Sequence, residues 1–175
     1  MIFQKTRLPG VFEIHLDPHY DDRGFFARSW CQREFETHGL NAKLVQCNIS
    51  FNLKKGTLRG MHFQAPPHCE AKLVRCTMGS VYDVVVDLRP QSFTFRQWIG
   101  VTLFAKSRSM VYIPEGCAHG FLTLEDETEV FYQMSEFYDA ESARGVRWDD
   151  PVFQITWPFA PTIISERDRK YLDFE

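Results

Sequence analysis

The sequence predicts an all-β domain, a sandwich or barrel, on two observations. Short runs rich in β-branched and aromatic residues recur at 11–16, 42–53, 72–77, 81–88, 98–104, 110–113 and 129–133. Turn-forming residues separate or flank them: Gly10, Gly56, Gly79, Pro90, Gly100, Pro114 and Gly116. Strand runs at this spacing, without long helical stretches between them, point to a sandwich or barrel rather than to βαβ units.

Among these runs, 81–88 partly alternates. It places Asp83, Val85 and Asp87 on one face and Tyr82, Val84 and Val86 on the other, so a polar face meets a lumen or water. The run 129–133 also alternates, with Tyr132 opposite in phase to Phe131 and Gln133. Helix is expected only at 32–38, where Phe35 is the apolar anchor before Gly39, and at 165–171. No repeat, low-complexity stretch or linker interrupts the chain, which reads as one domain over 1–175.

A chain of 175 residues, 44% hydrophobic and 15% aromatic, is long enough for one well-buried core. Its sixteen Phe and four Trp suit that core or a pocket wall that stacks planar ligands. A net charge of -3 and a pI near 6.1 argue against nucleic acid as the main partner, since a phosphate backbone wants a basic face. A few cations focused in a cleft still suffice for a nucleotide diphosphate. The five cysteines show no Cys-x-x-Cys spacing, so neither a disulfide framework nor a zinc knuckle is expected, and a reducing cytoplasm fits. No run is apolar enough for a signal peptide or a membrane span, and no membrane partner is expected.

The chemistry centres on two histidines. His62 lies in Leu58-Arg59-Gly60-Met61-His62-Phe63-Gln64 and His119 in Pro114-Glu115-Gly116-Cys117-Ala118-His119-Gly120-Phe121. Each follows a glycine turn and has apolar flanks, as expected if two strands carry both rings to a common interior. A metal centre would need further ligands. The residue two beyond His62 is Gln64, a poor transition-metal ligand, and Glu70 is the remaining nearby carboxylate. No metal or other cofactor is expected.

His62 also suits a general base, because an imidazole titrates near neutral pH. Such a base needs an orienting carboxylate, and Asp83, Asp87 and Asp168 are candidates that spacing does not separate. A hydrogen-bonded structural histidine is the competing reading. Tyr132 is a candidate acid if its hydroxyl shares the lumen with His62, and otherwise a core tyrosine. Arg23, Arg59, Lys72 and Arg167, with Phe25, Phe26 and Tyr138, form an inventory for diphosphate and base.

The order of motifs is more telling than any one of them: Asp22-Arg23-Gly24-x-Phe26, Gln46-x-Asn48, Leu58-Arg59-Gly60-x-His62-x-Gln64, Lys72-Leu73-Val74-Arg75, Pro114-x-Gly116-x-Ala118-His119-Gly120-Phe121 and Arg144-Gly145-x-Arg147-Trp148-Asp149-Asp150-Pro151. From about Phe3 to Arg169 the chain resembles the dTDP-4-dehydrorhamnose 3,5-epimerase family. The resemblance implies a cupin-like jelly-roll barrel, a metal-independent homodimer, that epimerises a nucleotide-diphospho-4-keto-6-deoxyhexose. It implies His62 as base, Asp168 as its carboxylate partner and Tyr132 as acid. Lys72 and His119 would steady the enolate, and Arg59 and Arg23 would bind diphosphate. Gln46 and Asn48 would hold nucleotide and sugar, and Tyr138 would stack on the base. Phe26, Arg28 and Arg167 complete the expected substrate contacts.

Three positions depart from the family pattern. Arg28 and Ala143 stand where glutamate is usual, and both belong to nucleotide binding in the resemblance. Arginine is donor-only, which favours a base such as cytosine over thymine. Gln133 follows Tyr132 where lysine is common, and bears on whether one or both of carbons 3 and 5 are inverted. Two other functions stay open: a cupin-like keto-isomerase, and a binding module without catalysis.

Overall fold

The structure is a computed structural model, and it describes residues 1–174. Fourteen strands and two short helices follow one another in the order β1 (Ile2–Lys5), β2 (Phe12–His15), β3 (His19–Asp21), β4 (Gly24–Phe26), α1 (Gln32–Thr37), β5 (Gln46–Asn52), β6 (Thr57–Gln64), β7 (Lys72–Met78), β8 (Ser80–Asp87), β9 (Trp98–Phe104), β10 (Met110–Ile113), β11 (Cys117–Thr123), β12 (Thr128–Met134), β13 (Ala143–Gly145), β14 (Ile163–Ile164) and α2 (Glu166–Arg169).

Two main sheets form. One runs β1-β2-β10-β7-β12-β5 and the other β13-β6-β11-β8-β9, with β14 parallel to β6; β3 and β4 make a separate hairpin. Chain-adjacent β7 and β8 fall in different sheets, as do β5 and β6, so the chain crosses between layers in the manner of a jelly roll. The core between the layers holds Val74, Val111 and Val130 from the first sheet and Val85, Leu103 and Phe121 from the second. This is the all-β sandwich that the strand runs predict.

Each run read as a strand contains one, although the run 42–53 begins pairing only at Gln46. The helix expected at 32–38 is Gln32–Thr37 and buries Phe35. The one expected at 165–171 shortens to Glu166–Arg169, where Ser165 Oγ accepts the Asp168 N–H at 3.1 Å. The polar face of β8 turns inward rather than to water: Asp83 and Asp87 are both fully buried. Burial alone would push the Asp87 carboxyl up. Bonds from Arg89, Ser92 and Thr94 outweigh it and hold the pKa down at about 2.

The two histidine strands are adjacent, and glycines set their spacing. His62 on β6 and His119 on β11 are direct Cα partners. Beside them Gly60 and Gly120 meet backbone to backbone. A Cβ on Gly120 would lie 2.7 Å from the Gly60 Cα, and Gly60 itself has φ +147. Only glycine at both positions lets β6 and β11 approach this closely.

Candidate active site

A cavity of about 980 Å³ lies between the layers, lined from β5, β7 and β12 on one side and from β6, β11 and the segment 163–168 on the other. It brings His62, Tyr132 and Asp168 together with Lys72 and His119. Gln46, Asn48, Arg59, Tyr138 and Arg167 also line it.

His62 is held from the end of the chain. Its Nε2 lies 2.7 Å from Asp168 Oδ1, while Asp168 Oδ2 accepts the Gly60 N–H at 3.2 Å. One carboxylate therefore grips both the ring and its own strand. Burial pushes the Asp168 carboxyl up, but the bonds from His62 and Gly60 prevail and keep its pKa below the ordinary carboxylate value. A carboxylate at Nε2 stabilises the tautomer protonated there and leaves Nδ1 as the basic nitrogen. The His62 side chain is 39% exposed against 5% for Asp168, so the ring meets the cavity and its anchor does not.

Of the three candidate carboxylates, geometry thus pairs Asp168 with His62. Asp83 lies 3.4 Å from His119 Nδ1, and Asp87 is engaged by Arg89. Complete burial raises the Asp83 carboxyl pKa, opposed by His119 and Lys72.

Lys72 is buried and ion-paired with Glu70. The second Glu70 oxygen accepts the Gln64 N–H at 2.9 Å. Gln64 spends its own amide on backbone, donating to His68 and Phe137 carbonyls and accepting the Asp139 N–H. Gln64 and Glu70 are thus committed to structure, and no group of three His, Cys, Asp or Glu able to hold a metal occurs among the described residues.

Tyr132 sits on β12 between Asn48 of β5 and Val74 of β7. Burial raises its phenol pKa, with the Arg59 charge pulling the other way, so the hydroxyl keeps its proton at neutral pH. Arg59 is steered by its Nε bond to Asn52 Oδ1 at 2.7 Å. Gln46 Nε2 donates to Asn48 Oδ1 at 3.1 Å, and Gln46 Oε1 accepts the Tyr138 N–H at 3.0 Å. That last bond fixes the backbone of Tyr138, whose ring is exposed at the rim.

Three expected contacts lie elsewhere. Arg23 belongs to the β3–β4 hairpin, pairs with Asp21 and has a side chain 91% exposed. Phe26 ends that hairpin and is exposed, and Arg28 pairs with Glu34 at 2.6 Å. The structure does not bring these residues to the cavity of their own chain. Ala143, the second departure from the family pattern, does line it.

Sequence reasoning missed Ser50, whose buried Oγ has no partner among the described residues and whose position lines the cavity. The period-two pattern Gln46, Asn48, Ser50 on β5 was the signal for it. It also missed the Glu70–Lys72 pair and Tyr171, whose ring packs edge-on against His62 with centroids 6.2 Å apart.

A jelly roll whose two sheets enclose one cavity lined by His62, Asp168, Tyr132 and Lys72 places the chain in a class, the cupin-like sugar isomerases. Within it, the chain belongs to the dTDP-4-dehydrorhamnose 3,5-epimerase family, whose model matches residues 5–175. It is 42% identical over 173 residues to the dTDP-4-dehydrorhamnose 3,5-epimerase of Shigella flexneri, an alignment covering 97% of this chain and 95% of the relative. The crystal structure of the Elizabethkingia anophelis enzyme of that name superposes with TM-score 0.96 at 38% identity, covering 99% of this chain and 96% of that one. The Bacillus anthracis enzyme, crystallised with TDP and PPi bound, gives TM-score 0.94 at 38% identity and covers 99% of both chains. The chain is accordingly an enzyme of the isomerase class. No helix among the described residues is long and apolar enough to cross a membrane.

Proposed function

We propose that the enzyme inverts carbons 3 and 5 of dTDP-4-keto-6-deoxyglucose, with His62 as base and Tyr132 as acid. The observation that carries this reading is the single cavity in which Asp168-held His62, Tyr132 and Lys72 converge. The 4-keto group acidifies the hydrogens on its two neighbouring carbons. His62 Nδ1 takes one such proton, and the electron pair of the broken C–H bond moves into the enolate, placing negative charge on the carbonyl oxygen. Lys72 and His119 stabilise that charge electrostatically. The Tyr132 hydroxyl returns a proton to the same carbon from the opposite face, and solvent restores both residues. Each inversion is proton transfer alone, so its balance calls for no redox partner.

Tyr132 in the same cavity as His62 also supports epimerisation over a keto-isomerase, which moves the carbonyl and needs no acid facing the base. Arg59 and Arg167 bind the diphosphate, Gln46 and Asn48 hold nucleotide and sugar, and Tyr138 stacks on the base. Arg23 and Phe26 act in the cavity of a second copy, presented by the exposed β3–β4 hairpin, whereas Arg28, beyond the hairpin, stays paired with Glu34. The exposed row Ile49 and Phe51 on the edge strand β5, with Leu53 just beyond its end, 64%, 43% and 67% exposed, supports such a homodimer.

Thymidine is the favoured nucleotide. Glu34 already satisfies Arg28, and the B. anthracis relative binds TDP. Comparing kcat/KM for the thymidine and cytidine forms of the 4-keto-6-deoxyglucose substrate tests the choice. At least a tenfold preference for thymidine is expected. A cytidine preference would favour the reading of Arg28 and Ala143 as base selectors, and turnover of neither would reject the epimerase assignment.

A further inference from the structure

We infer that Tyr171 is a positioning residue for His62, fixing the plane of the imidazole that Asp168 fixes at one nitrogen. This rests on the reading of His62 as base. A lone hydrogen bond at Nε2 leaves the ring free to pivot about that bond, and a base must present its other nitrogen within a narrow angle. The Tyr171 ring closes this freedom. It meets His62 edge-on, with centroids 6.2 Å apart and planes at 71°.

The space for that ring is made by a missing side chain. Gly145 on β13 is the Cα partner of His62 on β6. A Cβ on Gly145 would come within 3.0 Å of the Tyr171 ring, and 2.8 Å from the Met61 carbonyl oxygen. Tyr171 therefore occupies the volume that any other residue at 145 would need. It follows α2, so the segment that supplies Asp168 supplies the ring as well. Arg167, from the same helix, lies with its Cζ 6.0 Å from the Tyr171 ring centroid. The contact with His62 is made by the edge-on ring, which assigns the role to the ring and not to the hydroxyl oxygen.

The test is single-turnover wash-out of substrate protons into heavy water, with TDP affinity measured alongside. Tyr171→Phe, which keeps the ring, should retain the parental rate within about twofold. Tyr171→Ala should lose about tenfold in rate or more with KM and TDP affinity unchanged, as expected for a small misplacement of the base. Gly145→Ala, which displaces the ring, should show the same loss, and the double variant should be no slower than Tyr171→Ala alone. If Tyr171→Ala does not fold, Tyr171→Leu, closer in volume but without the planar ring, is read in its place. Parental wash-out in the variant that lacks the ring would overturn the inference, as would a Tyr171→Phe as slow as that variant. No wash-out by the parent enzyme would instead overturn the epimerase reading.

Discussion

Asp168 and His62 stand 106 residues apart in the chain, and their side chains meet at 2.7 Å. The same carboxylate bonds the Gly60 N–H, two residues before the histidine. His62 is thus clamped to its strand by a short C-terminal helix that packs on β6. Replacing Asp168 by Asn removes the charge that stabilises a protonated His62. Wash-out of substrate protons should fall about 100-fold or more, the lower end of what a positioned base contributes, while TDP affinity, read by calorimetry, should be unchanged.

Removing the Tyr132 hydroxyl separates the two halves of the reaction. Tyr132→Phe keeps His62 and Lys72 in place, so exchange of at least one substrate proton with heavy water should continue. Inversion should be impaired, because no acid remains on the opposite face. Product configuration by NMR checks this, and a normal epimer yield would remove Tyr132 from its role.

The Gly60–Gly120 contact predicts a stability cost as well as a catalytic one. A methyl at Gly120 would lie 2.7 Å from Gly60 Cα and force β6 and β11 apart beside both histidines. Gly120→Ala should lose about 1–3 kcal/mol, as overpacked sites do. A lower urea midpoint at unchanged slope is the expected readout.

Asp87 ties stability to pH. Its folded pKa of about 2 is depressed from 3.8. The group therefore contributes stability that is fully present above the unfolded value and is lost as pH falls from about 4 to about 2. Urea unfolding of the parent and of Asp87→Asn should give a gap that is constant above pH 5 and narrows below about pH 4. A gap that widened on acidification would contradict the Arg89, Ser92 and Thr94 network as its cause.

Much of this architecture was legible in sequence because it rests on local pattern. Strand periodicity located the sheets, Gly60 and Gly116 ahead of the two histidines marked their segments, and alternation on β12 set Tyr132 apart in phase from its neighbours. The partner of His62 was not legible from spacing, since Asp83, Asp87 and Asp168 differ only in tertiary placement. Resemblance singled out Asp168, and the fold brings it to the ring. The strands β13 and β14, three and two residues long, are too short to carry a period. The placement of Arg23, Phe26 and Arg28 away from the cavity likewise depends on where the β3–β4 hairpin packs. Tyr171 escaped notice because its meaning lies in what Gly145 lacks.

The most direct test of His62 as the base is proton NMR in heavy water with dTDP-4-keto-6-deoxyglucose, following the hydrogens on carbons 3 and 5 for the parent enzyme and for His62→Ala. The parent should lose both signals, and the variant should lose neither while still binding TDP. Wash-out that persisted in His62→Ala would contradict the assignment of the base, and with it the mechanism built on the Asp168 clamp.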